Sequence, residues 1–145
     1  MSYFEDVEVG ERDTFGRYEV TAEEITDFAE QYDPQPFHVD PDAAGESLFG
    51  SLVASGWHTA AMTMRMLVDE QFDEEGTLGA VGVDELRWPN PVRPGTVLHV
   101  EAEVLEKERD YRPGVGLVRS RVETIDEDGD VVQSFVSRAL HEQRK

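Results

Sequence analysis

The chain has 145 residues, a length that suits one domain with one core. It carries 32 acidic against 13 basic residues, and a net charge of −19 argues against nucleic acid or an anionic membrane as partner, because phosphate binding needs a basic surface. It has no cysteine, which excludes disulfides, thiolate metal sites and a cysteine nucleophile.

The N-terminus MSYFEDVEVG lacks a basic region and an apolar signal core, and no apolar run approaches the length of a membrane span, so a cytoplasmic protein is expected. The histidines are His38, His58, His99 and His141, without the spacing of a metal-binding pair, and no metal is expected. Regular apolar patterning argues against disorder. The acidic charge therefore reads as a surface adapted to a salt-rich cytosol, since at ~1 M salt the Debye length is only ~3 Å and carboxylate repulsion is largely screened.

Residues 3–10 read as an entry segment with Tyr3, Phe4, Val7 and Val9 able to pack, and residues 12–20 as a first strand. Thr21-Ala22-Glu23-Glu24 is a capping box, opening a helix to about Tyr32 with Ile25, Phe28 and Ala29 on one face. Pro34 ends it, which leaves Asp33 just past the helix C-terminus, at the negative end of the macrodipole. There a carboxylate has its pKa raised or needs a compensating donor. Asp33-Pro34-Gln35-Pro36-Phe37-His38 is stiffened by its prolines, which push Asp33 and Gln35 toward extended backbone, and the whole segment is expected to be non-helical. Asp40 caps a helical turn opened by Pro41.

Residues 49–54 are an apolar lead-in to Ser55, the N-cap of a helix running to about Glu70. Apolar residues lie around most of this helix, so it is expected to be wrapped along most of its length, with Trp57 and the methionines in the core and Arg65 needing a partner. The acidic run 69–75 reads as a solvated face. Strands follow at 78–88, 97–107, 115–125 and 131–141, with a loop at 111–116 and a tight turn at 127–130. No repeat or linker interrupts the chain, and residues 1–145 are expected to form one α+β domain, an antiparallel sheet in meander wrapped around one buried helix.

Two stretches carry chemistry. Asp33 and His38 set an acid and an imidazole five residues apart on a stiff segment, a support suited to preorganised acid–base work. Ser55-Gly56-Trp57-His58 opens the long helix, where unsatisfied backbone N–H groups face an oxygen ligand. His58 reads as structural and His99 as a surface residue on the polar register of its strand.

Taken together, the runs Y-D-P-Q-P-F-H-V-D, F-G-S-L-V-A-S-G-W-H and R-W-P-N-P-V-R-P-G-T resemble the MaoC-like dehydratases, which include the (R)-specific enoyl-CoA hydratases, over almost the whole chain. Asp33, His38 and Gly56 match the family's aspartate, histidine and helix-opening glycine. The chain departs from the family where Tyr32 replaces a frequent glycine, Gln35 a frequent asparagine and Ser55 a frequent histidine, changes that bear on the acyl group. The resemblance implies a hot-dog fold and reversible addition of water to a 2-enoyl-CoA thioester, giving an (R)-3-hydroxyacyl-CoA. In that reading Asp33 and His38 activate water and the Gly56 amide polarises the thioester carbonyl. Ser55 and Trp57 are candidate substrate contacts, and Arg87 and Arg93 candidates for the phosphates of coenzyme A, with Arg112 a further one. No cofactor beyond the substrate's coenzyme A is implied, and a homodimer or higher homo-oligomer is. Competing readings are a hot-dog acyl-CoA thioesterase, separable because hydration leaves free thiol unchanged, and a non-catalytic acyl-CoA-binding module.

The charge generates a first prediction. The thermal unfolding midpoint, followed by circular dichroism, is expected to be higher in about 1 M than in about 0.1 M potassium chloride; equal midpoints would remove the salt-adapted reading of the surface.

Overall fold

The computed structural model describes residues 3–71 and 76–145. A short 3-10 turn at Phe4–Asp6 leads into β1 (Arg12–Glu19), α1 (Ala22–Tyr32), α2 (Pro36–Val39), α3 (Pro41–Gly45) and α4 (Gly56–Glu70). Four strands follow: β2 (Thr77–Arg87), β3 (Val97–Arg112), β4 (Val115–Ile125) and β5 (Val131–Glu142). Of the acidic run expected as a solvated face, Asp69 and Glu70 are exposed, and 72–75 lie outside the described residues.

The five strands form one antiparallel sheet in the order β1-β3-β4-β5-β2. The expected meander therefore holds only for β3, β4 and β5. β2 leaves α4 for the far edge, pairing with β5, and β1 closes the other edge against β3. A sheet that wraps a helix needs strands on both sides of it, and the helix between β1 and β2 carries the chain across. β3 is longer than the alternation indicated, because it pairs with β4 as far as Arg112↔Val115. The expected loop is a turn at Pro113-Gly114, with Gly114 at φ 77°.

The core lies between α4 and the concave face of the sheet, where Met62, Met66 and Leu67 pack with Val20, Ile25, Leu98, Val100, Val122, Val132 and Phe135. Contrary to the expectation of a wrapped helix, Trp57, Ala61, Met64, Arg65 and Val68 form an exposed stripe along α4. Their spacing places them on one helix face, which this chain leaves uncovered. Trp57 is 59% exposed and Met64 is also outside the core, while Met62 and Met66 are buried as expected. Arg65 finds Asp69 at 3.0 Å one turn on. His99, expected at the surface, is half-buried. No helix among the described residues is long and apolar enough to cross a membrane.

β1 bends where it crosses α4. Gly16 has φ 88°, and a Cβ there would lie 2.7 Å from the Met66 sulfur. The β1–β3 register shifts between Phe15 and Tyr18 at this point. Gly16→Ala is expected to lower stability by about 1–3 kcal/mol through combined crowding and backbone strain, read from urea unfolding; an unchanged midpoint would show that β1 does not need the close approach.

Candidate active site

Asp33 is the C-cap of α1, with φ −153° and ψ 70°, and its N–H donates to the Ala29 carbonyl at 2.8 Å. Gln35 is extended (φ −71°, ψ 145°), as the residue before a proline should be. The segment is nevertheless not free of helix: Pro36 opens a helical turn that carries His38, because at the first helical position its missing N–H is no loss and its φ is already helical. That turn folds His38 back over Asp33.

The imidazole is buried, 6% exposed. Nδ1 lies 2.6 Å from the Val53 carbonyl oxygen. A carbonyl only accepts, so Nδ1 carries the proton, and Nε2 is turned toward Asp33 Oδ2 at 3.4 Å. Val53 is held in turn by its N–H donating to the Phe37 carbonyl at 3.2 Å.

The Asp33 carboxylate is gripped on both oxygens. Gln35 Nε2 donates to Oδ1 at 2.7 Å, and the Ser55 hydroxyl donates to Oδ2 at 2.7 Å. Burial pushes the Asp33 carboxyl up, but these two donations and the charge His38 carries when protonated outweigh it, and the pKa lies below the ordinary aspartate value. The donors required beside a helix C-terminus are thus present, one from the loop and one from the next helix.

Ser55 is fully buried and caps α4 by accepting from the Trp57 N–H at 3.2 Å. Its hydroxyl therefore joins the start of α4 to Asp33. Gly56 is the first residue of α4, where the N–H has no intrahelical acceptor. Its lack of a side chain has a concrete cause: a Cβ at Gly56 would lie 2.4 Å from the Trp88 ring. Asp33, His38, Ser55, Gly56, Trp57 and Trp88 line one cleft of about 440 Å3, with Phe37 and Phe49 on its apolar side.

The sequence-predicted residues thus divide. Asp33, His38, Ser55, Gly56 and Trp57 come together in the cleft. Arg87 and Arg93 are not among its lining residues. Arg87 is exposed and donates to the Leu86 carbonyl at 3.0 Å. Arg93 donates to the Phe49 carbonyl at 2.8 Å and to the Ser51 hydroxyl, fixing the loop that presents Phe49. Arg112 sits at the opposite end of β3 from the turn that carries Arg93.

A second acid–imidazole pair lies outside the cleft. His58 Nε2 is 3.1 Å from Glu24 Oε1, and the Tyr18 hydroxyl donates to the same oxygen. Burial and that donation push the Tyr18 hydroxyl up to about 12. His58 stacks on Phe28 with ring centres 4.7 Å apart. This joint ties β1, α1 and α4 together, in line with a structural His58. It also explains why only half of the expected capping box forms: Thr21 accepts from the Glu24 N–H at 3.1 Å, while the Glu24 side chain turns to Tyr18 and His58. The open depression beside it is larger, about 550 Å3, but its walls hold the carboxylates of Glu23, Glu24 and Asp27 of α1.

A family model described as MaoC like domain matches residues 7–127. The chain belongs to this family. A MaoC-like dehydratase from Rhodospirillum rubrum has a similar crystal structure, with a TM-score of 0.89 and 44% identity over 99% of this chain and 98% of that one. Among curated relatives, the uncharacterized protein YdeM of Bacillus subtilis is 30% identical over 89 residues, 61% of this chain and 63% of that protein. The 3-hydroxybutyryl-CoA dehydratase of Methylorubrum extorquens is 33% identical over 110 residues, 72% of this chain and 64% of that protein. The chain therefore spans less than two thirds of either curated relative. The sheet and its central helix form the hot-dog fold of α+β class.

Within this MaoC-like site, sequence reasoning missed the roles of Gln35 and Trp88. The sequence marks Gln35 as extended and as a departure from the family, but not as a donor to Asp33, because that contact depends on how the turn sets the two side chains. Trp88 gave no local signal, since its contact with Gly56 joins residues far apart in the chain.

The donations to Asp33 generate a prediction. In Ser55→Ala, with one donor removed, the Asp33 pKa is expected to rise relative to the native chain, measured by NMR titration of its carboxyl carbon. An unmoved titration would show that the Ser55 hydroxyl does not stabilise the carboxylate.

Proposed function

We propose that the protein is a hydro-lyase that reversibly adds water to a 2-enoyl-CoA thioester to give an (R)-3-hydroxyacyl-CoA. The observation that carries this reading is the facing of Asp33 Oδ2 and His38 Nε2 at 3.4 Å across a cleft that also holds the first amide of α4. With Asp33 ionised and the His38 proton fixed on Nδ1, both facing atoms are acceptors. A water about 2.8 Å from each satisfies both by donating its two hydrogens, and its lone pairs then point into the cleft. That is the alignment for attack on C3 of an enoyl thioester. The pair takes one proton from the water as the C3–O bond forms and returns one to C2, so it ends each turnover as it began. Charge develops on the thioester oxygen during the addition, and the Gly56 N–H is the donor for it, an interaction whose loss typically costs about 2.7–4 kcal/mol.

Similarity to a 3-hydroxybutyryl-CoA dehydratase supports the thioester and the type of reaction. Ser55 acts on substrate through Asp33, Trp57 forms the outer rim of the cleft, and no group besides the substrate's own coenzyme A enters the mechanism. Arg87 and Arg93, outside the lining, remain the candidates for its phosphates at the mouth. The acidic chain works in the cytoplasm, without nucleic acid or membrane as partner. A second copy of the chain covers the exposed α4 stripe and the β2 edge, where Leu78, Val81 and Val83 are also exposed.

Hydration of crotonyl-CoA, followed by loss of the enoyl absorbance without release of free thiol, tests the reading. Asp33→Asn and His38→Ala are each expected to lower kcat by roughly 10²–10⁴-fold, and the double variant to be little worse than either, as for groups that act as a unit. Release of thiol, or full activity in Asp33→Asn, would defeat it.

A further inference from the structure

We infer that Gln133 is a positioning residue for this reaction, acting through Trp88 on the amide of Gly56. The inference rests on the proposed hydratase reading and adds a residue that neither touches substrate nor lies near it in sequence.

Gln133 is wholly buried on β5, directly opposite Thr124 of β4, and both face α4. A buried amide must have its hydrogen bonds satisfied, and here the bonds have one consistent direction. The Thr63 hydroxyl donates to the Thr59 carbonyl at 2.8 Å, which uses its only proton. It is then the acceptor for Thr124 Oγ1 at 2.6 Å and for Gln133 Nε2 at 3.0 Å. Gln133 is thereby committed to present its amide nitrogen to Thr63 and its oxygen outward. That oxygen accepts the indole N–H of Trp88 at 2.8 Å.

Trp88 lies just past the end of β2, where two nearby prolines leave the backbone little ladder to hold it. Asn90 Nδ2 donates to the Val131 carbonyl at 2.8 Å, and Gln133 fixes the ring itself. The ring occupies the space a Cβ at Gly56 would need, and Trp57 meets it edge-on with ring centres 5.2 Å apart. A rotation of Trp88 would open a void against Gly56 and loosen the amide that faces the thioester oxygen. Donors to a developing oxyanion act only when held in place beforehand, so the effect falls on the chemical step.

The chain has only two tryptophans, so indole N–H signals in an NMR spectrum report Trp88 directly once Trp57→Phe has assigned them. In Gln133→Met, which keeps the bulk and removes the acceptor, the Trp88 N–H signal is expected to move upfield and exchange faster. With crotonyl-CoA, kcat is expected to fall roughly five- to tenfold, the size of one net hydrogen bond, with KM within about twofold. Gln133→Glu, whose wholly buried carboxyl is protonated and so donates to Thr63 while its other oxygen accepts from the indole, is expected to recover most of that loss. Trp88→Phe removes the donor from the exposed end and serves if the buried substitution prevents folding; its kcat should fall by a similar factor, and combining it with Gln133→Met should add little further. An unmoved indole signal in Gln133→Met, or a moved signal with unchanged kcat, overturns the inference. A native chain inactive on enoyl-CoA thioesters instead overturns the hydratase reading, so the two failures are distinct.

Discussion

Two acceptors held face to face are the constraint on which this site depends. Asp33 Oδ2 and His38 Nε2 stand 3.4 Å apart with no proton of their own to share when the acid is ionised and the ring neutral. Left free, the side chains would rotate apart or a proton would settle between them. They are not free. Gln35 and Ser55 hold the carboxylate, and the Val53 carbonyl holds the ring and chooses its tautomer. The unsatisfied accepting capacity is thus directed into the cleft.

The fold supplies the clamps from different parts of the chain. α1 ends at Asp33, a proline-started turn brings His38 over it, and the lead-in to α4 delivers Val53 and Ser55. Ser55 is the joint in this arrangement, since one hydroxyl both caps α4 and holds Asp33. Any shift of the helix start is therefore passed to the acid, and the Gly56 amide and the carboxylate keep a fixed relation. The contrast with the Glu24–His58 pair is instructive. There the same two functional groups, with Tyr18, tie β1, α1 and α4 together outside the cleft that holds Asp33, His38 and Gly56.

The outer faces show a different economy of contacts. α4 is buried on the side facing the sheet and exposed on the stripe from Trp57 to Val68, while β2 is an edge strand with apolar side chains outward. Trp57, Met64 and Val68 on α4 with Leu78, Val81 and Val83 on β2 make up most of the large exposed apolar side chains among the described residues, in a chain whose net charge is −19. Exposed apolar area of this kind suits contact with another surface, with charge elsewhere limiting unspecific association.

The sequence by itself determined the helix caps at Thr21, Asp40 and Ser55, the strand positions, and the extended backbone at Gln35 though not at Asp33, whose ψ is 70° where it closes α1; the features it determined follow from interactions within a few residues. It also placed Asp33, His38 and Gly56 through the spacing of three motifs. It did not show that Pro36 would start a helical turn, since a proline disfavours helix at the residue before it and yet suits the first position of a helix that follows. Sheet order, the exposed stripe of α4, the Trp88 ring against Gly56 and the chain from Gln133 to Trp88 were decided only by tertiary structure. Each depends on which distant surfaces meet, and apolar periodicity states that a face is apolar without stating what covers it.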